Sequence, residues 1–130
     1  MARVLVVDDD PVILELVKEM LEGAGHAAVA AANGRSAMEL VKDTPVEVIL
    51  TDILMPDKDG LEFIRELRRD CPQAKIIAMS GGGSLKINLD FLQVAKRMGA
   101  VFTLQKPFTP QALIDAVDCA LASSPSCSPG

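Results

Sequence analysis

Five times along this chain a short apolar run of strand character is followed by a breaker and then by apolar residues at helical spacing. The runs are Arg3–Val7, Ala27–Ala31, 46–50, 75–79 and 101–105. Strands this short and this continuously apolar suit a parallel sheet covered on both faces, and the intervening helices supply the cover. Asp10 followed by Pro11 marks a helix start, and Val12, Ile13, Leu16, Val17, Met20 and Leu21 then share one face until Gly23 and Gly25. Asn33-Gly34 opens a second helix through Ala37, Met38, Leu40 and Val41. A third runs from Gly60 through Leu61, Ile64 and Leu67 to Asp70, and a fourth spans 85–98. Thr109 before Pro110 caps a fifth, through Leu113, Ile114, Val117 and Leu121. The repeating order predicts an α/β three-layer (βα)5 sandwich around a parallel five-stranded sheet. It occupies 1–122 as one domain, and 123–130 form a flexible Ser/Pro tail.

At 130 residues the chain can bury one ordinary core, and its 49% hydrophobic and 24% charged residues are globular in balance. No apolar run approaches the roughly 20 residues of a membrane span, and Met1-Ala2-Arg3 leads into a strand without a leader-like stretch. Cys71, Cys119 and Cys127 have neither zinc nor redox spacing. These features predict a cytoplasmic protein with no membrane partner. A net charge of -5 lacks the basic stripe of a nucleic-acid footprint and suits attraction of a metal cation.

Parallel strands end on one edge of their sheet, where open α/β sheets gather ligands and chemistry. That edge collects Asp8 and Asp9 after the first run, Asp52 after the third, Ser80 after the fourth and Lys106 after the fifth. Taken alone, Asp52 is either a turn residue ahead of Met55-Pro56-Asp57 or a functional carboxylate. Only the fold can bring residues so distant in sequence together, and this favours function. Crowded carboxylates repel, and the remedies are protonation or a cation. Carboxylates with carbonyl and water oxygens describe a Mg²⁺ site. With metal and ammonium neutralising charge, a carboxylate can attack a phosphoryl group. Asp52 is then the phosphoryl acceptor, Asp9 a direct metal ligand and Asp8 a ligand directly or through water. Lys106 is a point-charge partner, and Ser80 a hydroxyl donor to a phosphoryl oxygen.

Val6-Val7-Asp8-Asp9-Asp10, Thr51-Asp52 with Met55-Pro56-Asp57 and Gly60, then Ser80, then Lys106-Pro107-Phe108, together resemble the receiver domain (CheY-like) of bacterial two-component response regulators over residues 3–122. The resemblance implies a flavodoxin-like fold with strand order 2-1-3-4-5 and phosphorylation of Asp52 by a histidine kinase or histidine phosphotransfer protein. It implies that the backbone carbonyl of Leu54 completes the Mg²⁺ site, and that Pro107 follows Lys106 through a cis bond. It also implies a downstream protein partner on the face of the fourth helix, fifth strand and fifth helix, without direct nucleic-acid binding. Ser80 and Thr103 occupy the switch positions. Thr103 stands where the family carries Tyr or Phe, and the stretch from Ser80 to Lys106 is a few residues longer than usual. A small Thr103 cannot carry an aromatic packing change, so the glycine-rich loop 81–84 and the start of the fourth helix are expected to take up the rearrangement. Phe102, next in the strand, is expected on the opposite face.

The leading expectation is a stand-alone receiver, a phosphoacceptor and not an enzyme acting on a separate substrate. One alternative is the receiver portion of a larger regulator or hybrid kinase. Another is a phosphatase with an aspartyl-phosphate intermediate, which would want an acid where this chain has Leu54. The last is a degenerate binding-only receiver, against which the full set of Asp9, Asp52, Ser80 and Lys106 argues. Arg65, Arg68 and Arg69 read as a solvated helical face, and His26 as structural. Gly81-Gly82-Gly83-Ser84 lacks the Gly-Lys-Ser/Thr ending of a phosphate-binding loop.

Overall fold

The computed structural model describes residues 3–52, 60–71, 74–80, 93, 97, 100–105 and 108–122. It contains β1 (Arg3–Val7), α1 (Pro11–Gly23), β2 (Ala27–Ala31), α2 (Gly34–Asp43), β3 (Val48–Asp52), α3 (Gly60–Asp70), β4 (Lys75–Ser80), β5 (Ala100–Gln105) and a C-terminal helix, Pro110–Ala122. The strands form one parallel sheet in the order β2-β1-β3-β4-β5. Of the expected fourth helix only Gln93 and Arg97 fall among the described residues, both with helical backbone.

The period of two along each strand sorts the core into two layers. Leu5, Val7, Ile49, Ile76 and Ala78 face Ala37 of α2 and Phe63, Ile64 and Leu67 of α3. Val4, Val6, Val48, Leu50, Ile77 and Met79 face Val17 and Leu21 of α1 and Leu113, Val117 and Ala120 of the C-terminal helix. Covered on both faces, β3 is buried at all five positions, as a central parallel strand requires.

Local signals set the helix boundaries. Asp10 accepts the Val12 N–H at 2.9 Å and Asn33 accepts the Ser36 N–H at 2.8 Å. The Thr109 hydroxyl accepts the Ala112 N–H at 3.1 Å. Gly25, at φ 92°, closes α1 with its N–H on the Glu22 carbonyl, while the His26 N–H reaches the Leu21 carbonyl. This paired closure needs a left-handed residue after the helix, and glycine adopts that conformation without strain.

Two strands run further at their carboxyl ends than the apolar runs suggest, while β3 begins two residues later, at Val48, and β5 one earlier, at Ala100. β3 extends to Asp52 instead of ending at Leu50, because β1 and β4 flank it on both sides: Thr51 is in register with Val7, and Asp52 with Met79. β4 extends to Ser80, opposite Gln105. In β5 the register skips Val101 between the Ile76–Ala100 and Ile77–Phe102 pairs. Val101 and Phe102 consequently both pack against the layer of the C-terminal helix, as a β-bulge requires. Thr103 lies opposite Ala78, whose side chain belongs to the other layer. Phe102 therefore occupies the face that strand alternation predicts for it.

Candidate functional site: an acidic cluster at the carboxyl edge of the sheet

Register builds this cluster. Val7 pairs with Thr51 across the central β1–β3 ladder, so the next residues, Asp8 and Asp52, emerge side by side at the carboxyl edge. Neighbouring strands lie about 4.8 Å apart, and Asp9 follows one residue on. Ligand oxygens of Asp8, Asp9 and Asp52 all lie within 4.8 Å of one another. Asp8 is fully buried, Asp52 is 6% exposed, and Asp9 is open to solvent.

The three consecutive aspartates divide their work. Asp8 turns its carboxylate back on the chain, where Oδ1 accepts the Asp10 N–H at 2.9 Å, and its own N–H donates to the Ala31 carbonyl at 3.2 Å. The first bond closes a tight turn after β1, and the second carries the β1–β2 pairing one residue further. Asp10 caps α1 and stays out of the cluster.

Two buried, ionised carboxylates brought within 4.8 Å repel each other. Such an arrangement calls for a cation. Three carboxylates whose oxygens converge within 4.8 Å make a hard oxygen donor set of the kind that suits Mg²⁺. Asp8, Asp9 and Asp52 are the described residues able to hold it.

Ser80 ends β4 one step beyond the Asp52–Met79 pair, so its backbone reaches the same edge, opposite Gln105. Lys106 and Pro107, and Leu54, lie outside the described residues. The expected switch position Thr103 is half-buried on β5. Thr51, to which the sequence assigns no role beyond its place before Asp52, completes with Asp8 and Asp52 the set of buried polar side chains among the described residues. Its hydroxyl donates to the Asp52 carbonyl at 3.1 Å. The available signal was a hydroxyl residue closing an otherwise apolar run.

The remaining candidates stand away from this edge. His26 Nε2 lies 3.6 Å from Asp118 Oδ1, linking the end of α1 to the C-terminal helix. Arg65, Arg68 and Arg69 are exposed on α3, and Arg69 pairs with its neighbour Asp70 at 3.0 Å. That bond raises the Arg69 pKa and lowers that of Asp70. Burial pushes the Cys71 thiol up.

Residues 4–118 match the response regulator receiver domain family. The chain belongs to that family. This receiver is 33% identical over 117 residues to the chemotaxis protein CheY of Thermotoga maritima, covering 89% of this chain and 94% of that one. It is also 33% identical to the DNA-binding transcriptional regulator NtrC of Azospirillum brasilense, covering 95% of this chain but 25% of the regulator. The crystal structure of a response regulator receiver domain protein from Clostridium thermocellum superposes with a TM-score of 0.85 at 30% identity, covering 94% and 95% of the two chains. Receiver domains act in two-component systems, between histidine kinases and downstream effectors, and the sheet order found here is theirs. Among the described residues no helix is long and apolar enough to cross a membrane.

Proposed function

We propose that this receiver is a phosphorylation-controlled signalling domain that accepts a phosphoryl group on Asp52 from a histidine kinase or a histidine phosphotransfer protein. The observation behind this is the convergence of Asp8, Asp9 and Asp52 within 4.8 Å on adjacent strand ends, with Asp52 almost fully buried. A carboxylate held there is shielded from water yet lies beside the donors a metal needs.

A carboxylate oxygen of Asp52 attacks phosphorus in line with the departing phosphohistidine nitrogen. The O–P bond forms as the N–P bond breaks, and the imidazole keeps the electron pair and takes a proton from solvent. Asp8, Asp9, Asp52 and the Leu54 carbonyl are the groups that would hold Mg²⁺, which when bound offsets their charge and that of the phosphoryl oxygens. Lys106 meets one phosphoryl oxygen as a point charge, and the Ser80 hydroxyl donates to another. Ser80 and Thr103 occupy the switch positions, with loop 81–84 and the start of the fourth helix taking up the rearrangement that a small Thr103 cannot carry. Hydrolysis reverses the modification: water attacks phosphorus, the acyl phosphate O–P bond breaks, and the Asp52 carboxylate and inorganic phosphate are released.

The donor must bring a histidine to a nearly buried carboxylate, so its surface has to cover the rim of the site. Val12 and Leu16, 62% and 45% exposed on the first two turns of α1, supply an apolar seat that begins three residues beyond Asp9. The output partner takes the face of the fourth helix, β5 and the C-terminal helix, and the protein acts in the cytoplasm. Residues 1–122 form the receiver on this reading, and the expected tail, 123–130, lies outside the described residues. The 25% coverage of NtrC also suits the receiver portion of a larger regulator, in which the tail would begin a linker.

The test is incubation with a small phosphodonor such as phosphoramidate. Intact mass should rise by one phosphoryl group with Mg²⁺ and stay unchanged with chelator. Labelling of Asp52→Ala at the wild-type rate would overturn the assignment.

A further inference from the structure

Thr51 is fully buried, at the register of Val7 and Ala78 in the apolar layer of α2 and α3. Valine has almost the same shape, favours strands and would bury more apolar surface. A hydroxyl in such a place is costly unless it is hydrogen-bonded. Here it is bonded to the backbone carbonyl of Asp52, at 3.1 Å.

We infer that Thr51 is a positioning residue for phosphoryl transfer, its hydroxyl holding the Asp52 carbonyl and through it the aim of the Asp52 carboxylate. This rests on the proposal that Asp52 is the acceptor. Successive strand residues point to opposite faces, so Thr51 touches neither metal nor phosphoryl group and acts from behind the strand. The peptide group is planar, so fixing the Asp52 carbonyl also fixes the direction in which the chain leaves β3. That carbonyl is therefore set for both the acceptor and the segment carrying Leu54. Without the hydroxyl, Asp52 would sample orientations outside the 4.8 Å cluster with Asp8 and Asp9. Displacements of about 1 Å can slow an oriented reaction by up to about a hundredfold.

The test compares wild type, Thr51→Val, Thr51→Ala and Thr51→Ser in the full chain, with phosphoramidate and Mg²⁺ as probe and circular dichroism to verify folding. Labelling should slow about tenfold or more in Thr51→Val and Thr51→Ala and stay within about twofold of wild type in Thr51→Ser. The Asp52 carbonyl ¹³C shift, read without phosphodonor, should move in the two hydroxyl-free variants and hold in Thr51→Ser. Wild-type rates in a folded Thr51→Val overturn the inference, as does equal slowing in Thr51→Ser, which would indicate packing in place of the hydroxyl. If wild type itself takes no label, or Asp52→Asn labels normally, the acceptor assignment fails instead, and the carbonyl shifts still decide whether Thr51 holds Asp52.

Discussion

Asp9 and Ser80 differ in when they are needed. On the proposed roles Asp9 is an anionic ligand; its oxygen stands within 4.8 Å of Asp8 and Asp52, and its loss would remove Coulomb attraction for the free cation. The Ser80 hydroxyl, in its proposed role, would serve only once a phosphoryl oxygen is present. Asp9→Ala should therefore weaken Mg²⁺ binding at least about tenfold, and Ser80→Ala by no more than about twofold, in titration calorimetry. Equal losses would contradict the division of roles. Asp8, Asp9 and Asp52 were legible in the sequence because a run of carboxylates after one apolar stretch and a single one after another must meet if the strands are parallel. The capping role of Asp10 was legible too, from Pro11 behind it. Thr51 was not, because nothing in a linear pattern says whether a buried hydroxyl bonds to its neighbour's backbone or merely fills space.

α1 combines two tasks. Val17 and Leu21 are buried against the sheet, while Val12 and Leu16 on the same helix remain open beside the acidic edge. If the phosphohistidine donor seats there, Leu16→Glu should cut transfer from an autophosphorylated cognate histidine kinase about tenfold, or about 1.4 kcal/mol. Labelling by phosphoramidate should change less than about twofold. A parallel loss in both assays would mean that the substitution damages the site itself. The helical period of α1 was plain in the sequence, but Leu16 read as part of its core face, since a period of 3.6 cannot say how wide a stripe the neighbours cover. β5 shows the same limit. Val101 and Phe102 are both apolar, so the sequence fits a regular strand as well as the bulge that puts them on one side.

At the scale of the whole molecule, five apolar runs separated by helices leave a parallel sheet as the natural solution, and this is the sheet observed. Its order places β1 and β3 side by side at the centre, which is what turns distant aspartates into one site. The expected response of loop 81–84 and the start of the fourth helix lies outside the described residues, as do Lys106, Pro107 and Leu54. The central claim is that the fold makes Asp52, and no other carboxylate, the phosphoryl acceptor. The direct measurement is to label the protein with phosphoramidate and Mg²⁺, reduce the acyl phosphate with borohydride to homoserine, and map the altered residue by peptide mass. Homoserine at position 52 alone is the predicted result. Homoserine at Asp8, Asp9 or another carboxylate, with Asp52 intact, would contradict it.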